Sequence, residues 1–218
     1  MSEINLLEKY PRTKRNPQER QAQKNPDDIK IARQFGKEYF DGDRKFGYGG
    51  FSYQPRFWQP VVPDFQKKYN LTKDSSVLDV GCAKGFMLHD FRQLIPGIKI
   101  TGIDISPYAL ENAVADVKPF LQIGDAKKLP FADKSFDLVI SINTVHNLPI
   151  EDCKQALKEI QRVTKKYAFI TVDAYRNDEE KKLMDMWNLT ALTYMHADEW
   201  KKLFQDVGYK GDYYWFIP

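Results

Sequence analysis

The chain predicts an α/β domain, a mostly parallel sheet with helices on both faces, and three observations carry that prediction. Short apolar runs alternate with stretches of helical period, and glycine, proline or a capping side chain marks the junctions. The run Phe136–Ile142 is apolar almost without interruption, as a central parallel strand buried on both faces should be. Strand and helix succeed one another as β-α-β-α, which implies right-handed crossovers. The 218 residues suffice for one such domain with a sizeable core and a lid.

The opening of the chain departs from this pattern and reads as an N-terminal arm and lid, residues 1–70, ahead of the domain proper, 71–218. Between residues 9 and 24, six basic side chains (Lys9, Arg12, Lys14, Arg15, Arg20, Lys24) accompany one acid, Glu19, in a stretch broken by Pro11 and Pro17. Such a stretch reads as a solvated, partly mobile arm. A sharper alternative is that part of it neutralises phosphate on a substrate, a role suited to Arg and Lys. Residues 26–40 have helical spacing, with Ile29, Ala32, Phe35 and Tyr39 or Phe40 on one side.

Residues 40–58 then set four glycines among Phe46, Tyr48, Phe51, Tyr53, Phe57 and Trp58. The glycines oppose a regular element and the aromatics oppose disorder, so an ordered cover over a site is expected. About half of these rings are expected to plug the lid onto the domain. Tyr48, Arg56 and Trp58 are the candidates to face a ligand. Residues 61–69 form a lid helix leading into the first strand.

That strand, Ser76–Val80, enters a tight loop from Gly81 to Gly85 and then a helix over 86–95. The glycines stand at G-x-x-x-G, where a missing Cβ lets the backbone turn sharply and approach a nucleotide-like ligand at the strand's carboxyl end. A dinucleotide fingerprint would read G-x-G-x-x-G, and Ala83 occupies its second glycine. Asp79, two residues before the first glycine, would repel a pyrophosphate and suits a cationic ammonium group. After a turn at Pro96-Gly97, the strand over 98–103 closes on Asp104, 19 residues beyond Gly85. A carboxylate there can accept from two ribose hydroxyls at once.

An acid two residues before G-x-x-x-G, followed by an acid closing the next strand, resembles the class I S-adenosylmethionine-dependent methyltransferases. The resemblance implies a Rossmann-like sheet, S-adenosyl-L-methionine as methyl donor and S-adenosyl-L-homocysteine as product. It assigns Asp79, Gly81, Cys82, Ala83 and Gly85 to the methionine part of the cofactor, and Asp104 with its neighbour Ile105 to the ribose side. Asp125 would accept from the adenine amino group and Ala126 supply the next amide, with Asn143 completing the set. Asp125 is also readable as a turn cap, since Gly124-Asp125 is a turn signal. The lid resembles, more loosely, small methyltransferases associated with bacterial surface-polysaccharide building. That implies a hydroxyl on a phosphorylated or nucleotide-linked sugar as the acceptor, with a small amine or amino sugar as one alternative and a catalytically inactive S-adenosylmethionine-binding partner subunit as another.

Ser106 and Pro107 open the next helix as cap and first-turn residue, and a short strand over 120–123 follows. The carboxyl end of Phe136–Ile142 delivers Asn143, Thr144, Val145, His146 and Asn147 to the same edge. His146 is the candidate general base, because an imidazole with pKa near 6.5 accepts a proton at neutral pH. Its rival role is a packing or capping histidine ahead of a helix over 151–163. The strand over 167–173 adds Asp173, Tyr175 and Arg176; Asn147, Tyr175 and Arg176 join Tyr48, Arg56 and Trp58 as substrate candidates. Helices over 178–190 and 198–207 and a strand over 212–217 finish the chain. Class I enzymes usually close with an antiparallel hairpin, so an antiparallel final strand is expected, with a homodimer partner or the N-terminal segment over the sheet's far edge. His89 and His196 carry no assigned role, and Asp198 reads as a helix-start acid.

Hydrophobic residues make up 42% and charged residues 29%, as in a soluble globular protein. No apolar run approaches the roughly 18 residues of a membrane helix, and the first ten residues lack a signal peptide's apolar segment, so the cytoplasm is expected and no membrane. Two cysteines, Cys82 and Cys153, suggest neither a disulfide framework nor a metal site. Cys82 also reads as a nucleophile at a helix start, although a pocket-lining role is preferred. A net charge of +3 is too weak to argue for nucleic acid. The expected partner is a small-molecule substrate.

Overall fold

The fold is that of a computed structural model, which describes residues 1–11, 15–49 and 51–218. Arg12 and Lys14 of the basic run lie outside the described residues. The described residues form seven strands: β1 (Ser76–Val80), β2 (Lys99–Asp104), β3 (Leu121–Ile123), β4 (Phe136–Ile142), β5 (Thr164–Tyr175), β6 (Met195–His196) and β7 (Asp212–Phe216). The order β3-β2-β1-β4-β5 continues with β7 along β5, and the two-residue β6 lies beside the upper end of β5.

Each of these pairings is parallel. The final strand therefore departs from the antiparallel arrangement expected. From β5 the chain passes through the helices Asp178–Trp187 and Ala197–Asp206 and returns to the sheet's starting end before β7 begins, so Phe169 faces Asp212 and Asp173 faces Phe216. The outer edge of β7 meets the N-terminal segment: Ile4 N donates to Tyr213 O at 2.9 Å and Tyr213 N to Ser2 O at 3.0 Å. That contact satisfies backbone groups an open edge would expose.

Side chains alternate across the strands, and the two faces bury two cores. Leu78, Val80, Ile103, Val139, Ile170 and Val172 pack towards the helices Ile150–Val163 and Ala197–Asp206. Val77, Ile100, Leu138, Ile140 and Phe169 pack on the other face, with Phe65 and Phe91 of the helices Val62–Tyr69 and Phe86–Leu94. Val62 and Phe65 are fully buried there. The helix Val62–Tyr69 is thus a layer of the core, where a lid helix was expected.

The described part of the basic arm is ordered. Asn16 caps a helix, Pro17–Gln23, by accepting from Glu19 N. Lys24 Nζ donates to the carbonyls of Asp185 (2.8 Å) and Asn188 (3.0 Å), and Arg20 Nε to that of Trp187 (3.0 Å). Cations there meet the negative end of the helix Asp178–Trp187. Two of the basic side chains therefore serve the fold, where a mobile arm was expected.

The helical spacing over 26–40 resolves into two helices, Pro26–Ala32 and Lys37–Asp41. Phe35, at φ +49°, breaks the run, and its carbonyl accepts from Ser106 Oγ at 2.5 Å. The lid that follows is fastened to the glycine loop. Lys84 Nζ, in a side chain only 6% exposed, contacts Asp41 Oδ1 at 2.5 Å and Phe51 O at 2.7 Å. Tyr108 donates to Asp41 Oδ2 at 2.7 Å, and Tyr53 to Asp90 Oδ1 at 2.6 Å. Lys84→Met, which keeps the stem and deletes the charge, should destabilise the protein by about 1–3 kcal/mol. Hydrogen–deuterium exchange should accelerate over residues 37–49 and stay unchanged in β4; equal protection in both segments would exclude the latch.

Candidate functional site

Period-two alternation decides which strand-end side chains share a space. Val77 lies on the lid-side face, so Asp79 does too; Ile100 brings Asp104 with it, and Phe169 brings Asp173. Three carboxylates thus emerge on one face at the carboxyl edge of the sheet, beneath the N-terminal layer. Across the order β2-β1-β4-β5 they run Asp104, Asp79, Asp173. With strands roughly 4.8 Å apart, Asp173 lies about 10 Å across the sheet from Asp79, opposite Asp104, and about 13 Å farther along the strands, since Asp79 registers through Ile140 with Phe169.

The glycine loop shapes the middle of this edge. Gly81 has φ +85°, and a Cβ there would come within 2.2 Å of Thr144 Oγ1, so the loop and the end of β4 touch only because the side chain is missing. Ala83 takes φ +48° and donates its N–H to Asp104 Oδ2 at 2.7 Å, while Ser106 N donates to Oδ1 at 2.9 Å. Gly85, at φ +75°, leads into the helix Phe86–Leu94. Burial raises the Asp104 carboxyl, and these backbone N–H groups pull it back.

Asp79 is 5% exposed, and no hydrogen bond to its carboxylate forms among the described residues. Burial, with the Asp104 charge added, pushes its pKa up to about 8. A buried carboxylate held against another carboxylate without a donor is short of a cation. Cys82 packs on the same lid-side face, its Sγ 2.7 Å from where a Cβ on Gly102 would stand. Burial and the charges of Asp79 and Asp104 raise the thiol well above its usual range, which argues against a nucleophile.

Next to the loop, Ile105 is 57% exposed, an apolar side chain held in the open beside Asp104. Asp125 Oδ1 accepts from Lys127 N at 2.9 Å, the turn-cap geometry, and Ala126 is partly buried against the core. Asn143 ends β4 at φ +52°, with its Oδ1 accepting from Thr171 Oγ1 at 2.8 Å. Asn147 Nδ2 donates to Asn143 O at 3.3 Å, and its Oδ1 is buried without a partner.

His146 is 3% exposed, and its Nδ1 accepts from the Asp173 N–H at 2.8 Å. Burial pushes its pKa down to about 3. The ring is therefore neutral near pH 7 with its proton on Nε2, and the lone pair a base would use is already engaged. Asp173, 5% exposed, accepts from Trp200 Nε1 at 2.9 Å through its carbonyl, while its carboxylate takes no hydrogen bond among the described residues. Burial pushes that carboxyl up to about 7, opposed by the Arg15 charge.

The lid candidates divide. Tyr48 accepts from Leu189 N at 2.8 Å and carries the Arg20 guanidinium 4.7 Å from its ring, so it buckles the lid to the loop after Trp187. Trp58 packs edge-on against Tyr10 at 4.8 Å, and the exposed Arg56 borders a surface groove with Phe51, Gln54 and Phe57. Neither is brought to the carboxylates. Tyr175 lies beside His196 (5.8 Å), and Arg176 pairs with Glu3 at 3.0 Å, so both belong to a surface cluster above β5. His196 caps the helix Ala197–Asp206. The sequence reading missed Tyr39: burial raises its hydroxyl, and the charges of both Asp104 and Asp173 add to that rise, so it lies within reach of both ends of the edge. Its place in a helical repeat gave no signal of this.

Comparison with known proteins fits the edge described. Residues 78–172 match the family described as Methyltransferase domain. An uncharacterized protein of Haemophilus influenzae is 33% identical over 152 residues, 64% of this chain and 60% of its own length. The demethylmenaquinone methyltransferase of Chlorobaculum parvum is 36% identical over 113 residues, 50% of this chain and 45% of its own. The chain spans about half the length of the curated relatives it matches. In fold, a Haemonchus contortus phosphoethanolamine N-methyltransferase, solved with S-adenosylhomocysteine, superposes with a TM-score of 0.59 at 16% identity, covering 81% of this chain and 44% of that one. Between Leu78 and Val172 the chain is similar to the Methyltransferase domain family, and its parallel strand order agrees with that likeness.

Proposed function

We propose that the protein transfers a methyl group from S-adenosylmethionine to a small polar acceptor, and the buried Asp79 carboxylate, which takes no hydrogen bond among the described residues, is the observation that carries this reading. The residues present fit the cofactor. Asp79 offers a seat for its ammonium group, the Gly81–Gly85 turn admits its backbone closely, Asp104 accepts from its ribose hydroxyls, and the exposed Ile105 covers one side of its adenine. Asp125 and Ala126, after β3, would meet the adenine edge. When bound, the cofactor supplies an electrophilic methyl on a positively charged sulfur. The chain's part is to hold donor and acceptor in line and to exclude water beneath the lid, and proximity of that kind supplies much of a displacement's rate.

The acceptor we infer is a hydroxyl on a phosphorylated or nucleotide-linked sugar, supported by the lid's resemblance and by two cations, Arg44, whose charge acts on Tyr48, and Arg15, whose charge acts on Asp173. A second reading, a small amine, is favoured by one observation: Asp173, a carboxylate without a donor, lies beside Tyr39 and Tyr48, and a cation suits both carboxylate and ring faces. A labelled-methyl screen with UDP-glucose, glucose 1-phosphate and phosphoethanolamine separates the two by the atom methylated.

Asp79 makes the cofactor reading testable through pH. With a free pKa of about 8, its carboxyl is mostly protonated at pH 7 and must ionise to hold an ammonium group. Affinity for S-adenosylhomocysteine should therefore rise roughly fivefold to tenfold between pH 7 and pH 8.5, with proton release visible as buffer-dependent heat in calorimetry. Absence of heat at either pH would sink the reading.

The same carboxyl should weaken the free protein. Its folded pKa is raised above the unfolded value of 3.8, so the native state binds the extra proton and stability falls as pH rises from about 4 to about 8. Asp79→Asn should raise the ligand-free melting temperature at pH 8.5 by roughly 2–4 °C, lose that gain near pH 4, and bind S-adenosylhomocysteine at least tenfold more weakly. A variant that melts below the parent at both pH values would place Asp79 in the scaffold instead.

A further inference from the structure

We infer that the Asp173 carboxylate, held in place by His146, is the group that takes the acceptor's proton. This deepens the methyl-transfer reading and rests on it. Three observations carry it. Asp173 is the strand-end residue of β5 on the lid-side face, the same face as Asp79 and Asp104. In the strand order it lies beyond β1 and β4, on the far side of Asp79 from Asp104, which is the side left for an acceptor when Asp104 and Asp79 hold the donor. Its carboxylate has a hydrogen bond to no described residue, while its N–H is fixed by His146 Nδ1 (2.8 Å) and its carbonyl by Trp200 Nε1 (2.9 Å). Both backbone groups are anchored and the side chain is left for a ligand.

The chemistry balances. A lone pair on the acceptor's oxygen or nitrogen forms the new bond to carbon, the carbon–sulfur pair returns to sulfur, the O–H or N–H pair stays on the acceptor as a lone pair, and its proton goes to an Asp173 oxygen and from there to water. A hydroxyl needs such a partner as its proton begins to leave, whereas a carboxylate acceptor would need none and would be repelled. The charged and titratable groups facing Asp173 are Arg15 from the arm, His146 from the loop after β4, and Tyr39 and Tyr48 from the lid. Burial outweighs Arg15 and holds the carboxyl at about 7, where it can both take up and release a proton at neutral pH. His146 is then a positioning residue.

The test reads the carboxyl directly. In protein carrying [γ-13C]aspartate, with Asp173→Asn to assign the signal, Asp173 should titrate near neutrality, both alone and with S-adenosylhomocysteine. Titration in the ordinary range near 4 overturns the inference. His146→Ala should shift that titration and His146→Asn, which keeps an acceptor at the δ position, should restore it; no shift in the alanine variant removes the positioning role. Asp173→Asn should bind S-adenosylhomocysteine within twofold of the parent, and a tenfold loss would assign Asp173 to the cofactor's seat instead. Failure of the parent to bind S-adenosylhomocysteine refutes the methyl-transfer reading, and the titration without ligand still reports on Asp173. For any acceptor found in the labelled-methyl screen, Asp173→Asn should lower kcat at least about 100-fold and flatten its pH profile near neutrality; an unchanged kcat overturns the assignment.

Discussion

Negative charge gathered at one edge of the sheet, under a cover that removes water, is the constraint from which the other features follow. A parallel sheet brings every strand's carboxyl end to one side, and the period of two sends Asp79, Asp104 and Asp173 to the same face of it. Burial there raises all three carboxyls, and Asp79 gains a further rise from Asp104. Among the described residues only Asp104 of the three accepts from backbone donors. The arrangement stores electrostatic strain that a cationic ligand relieves, which is the usual relation between a binding site and the stability it gives up.

The lid answers to the same constraint. Its attachments are polar and reach the elements that bear the carboxylates: Lys84 in the glycine loop grips Asp41 and Phe51 O, and Ser106, whose N–H serves Asp104, also holds Phe35 O. Fastening cover and loop to one another means the lid's position and the loop's shape are set together. Arg20 and Lys24 act at a distance from this edge, where the carbonyl end of the helix Asp178–Trp187 is their counter-charge. The arm's basic character therefore has two physical sources: Arg15 lies near Asp173, while these two serve a helix terminus.

Much of this was legible in the sequence because it is local. Gly81 and Gly85 announce a turn that needs left-handed backbone, and both take it; the spacing from there to Asp104 follows from one helix and one turn. The illegible parts depend on partners far along the chain. His146 looks like a base until the Asp173 N–H is found at its Nδ1, 27 residues away in sequence. Trp58 and Arg56 share the composition of the lid but neither its inner surface nor the carboxylates, since Tyr10 from the arm takes the indole. Phe35 interrupts a helical repeat without any proline, because Ser106 Oγ rewards its carbonyl for turning out. The direction of β7 was misread because a usual ending was assumed, whereas the two helices after β5 return the chain to start a parallel strand.

These placements also decide between two proton acceptors that the sequence presents almost side by side. An imidazole is the more familiar base, but one that is buried, neutral and already accepting a backbone N–H is a fixed acceptor, and recovering its lone pair would leave the Asp173 amide unpaired in the interior. The carboxylate above it has the opposite balance: its backbone is anchored on both sides, and its oxygens take no hydrogen bond among the described residues. An acceptor hydroxyl or ammonium group approaching from the side of β5 would meet Asp173 with Tyr39 and Tyr48 close by, while the donor's charge is met at Asp79. Separate carboxylates for the two reactants keep their charges from competing for one counter-ion, and the strand order β1-β4-β5 keeps them apart.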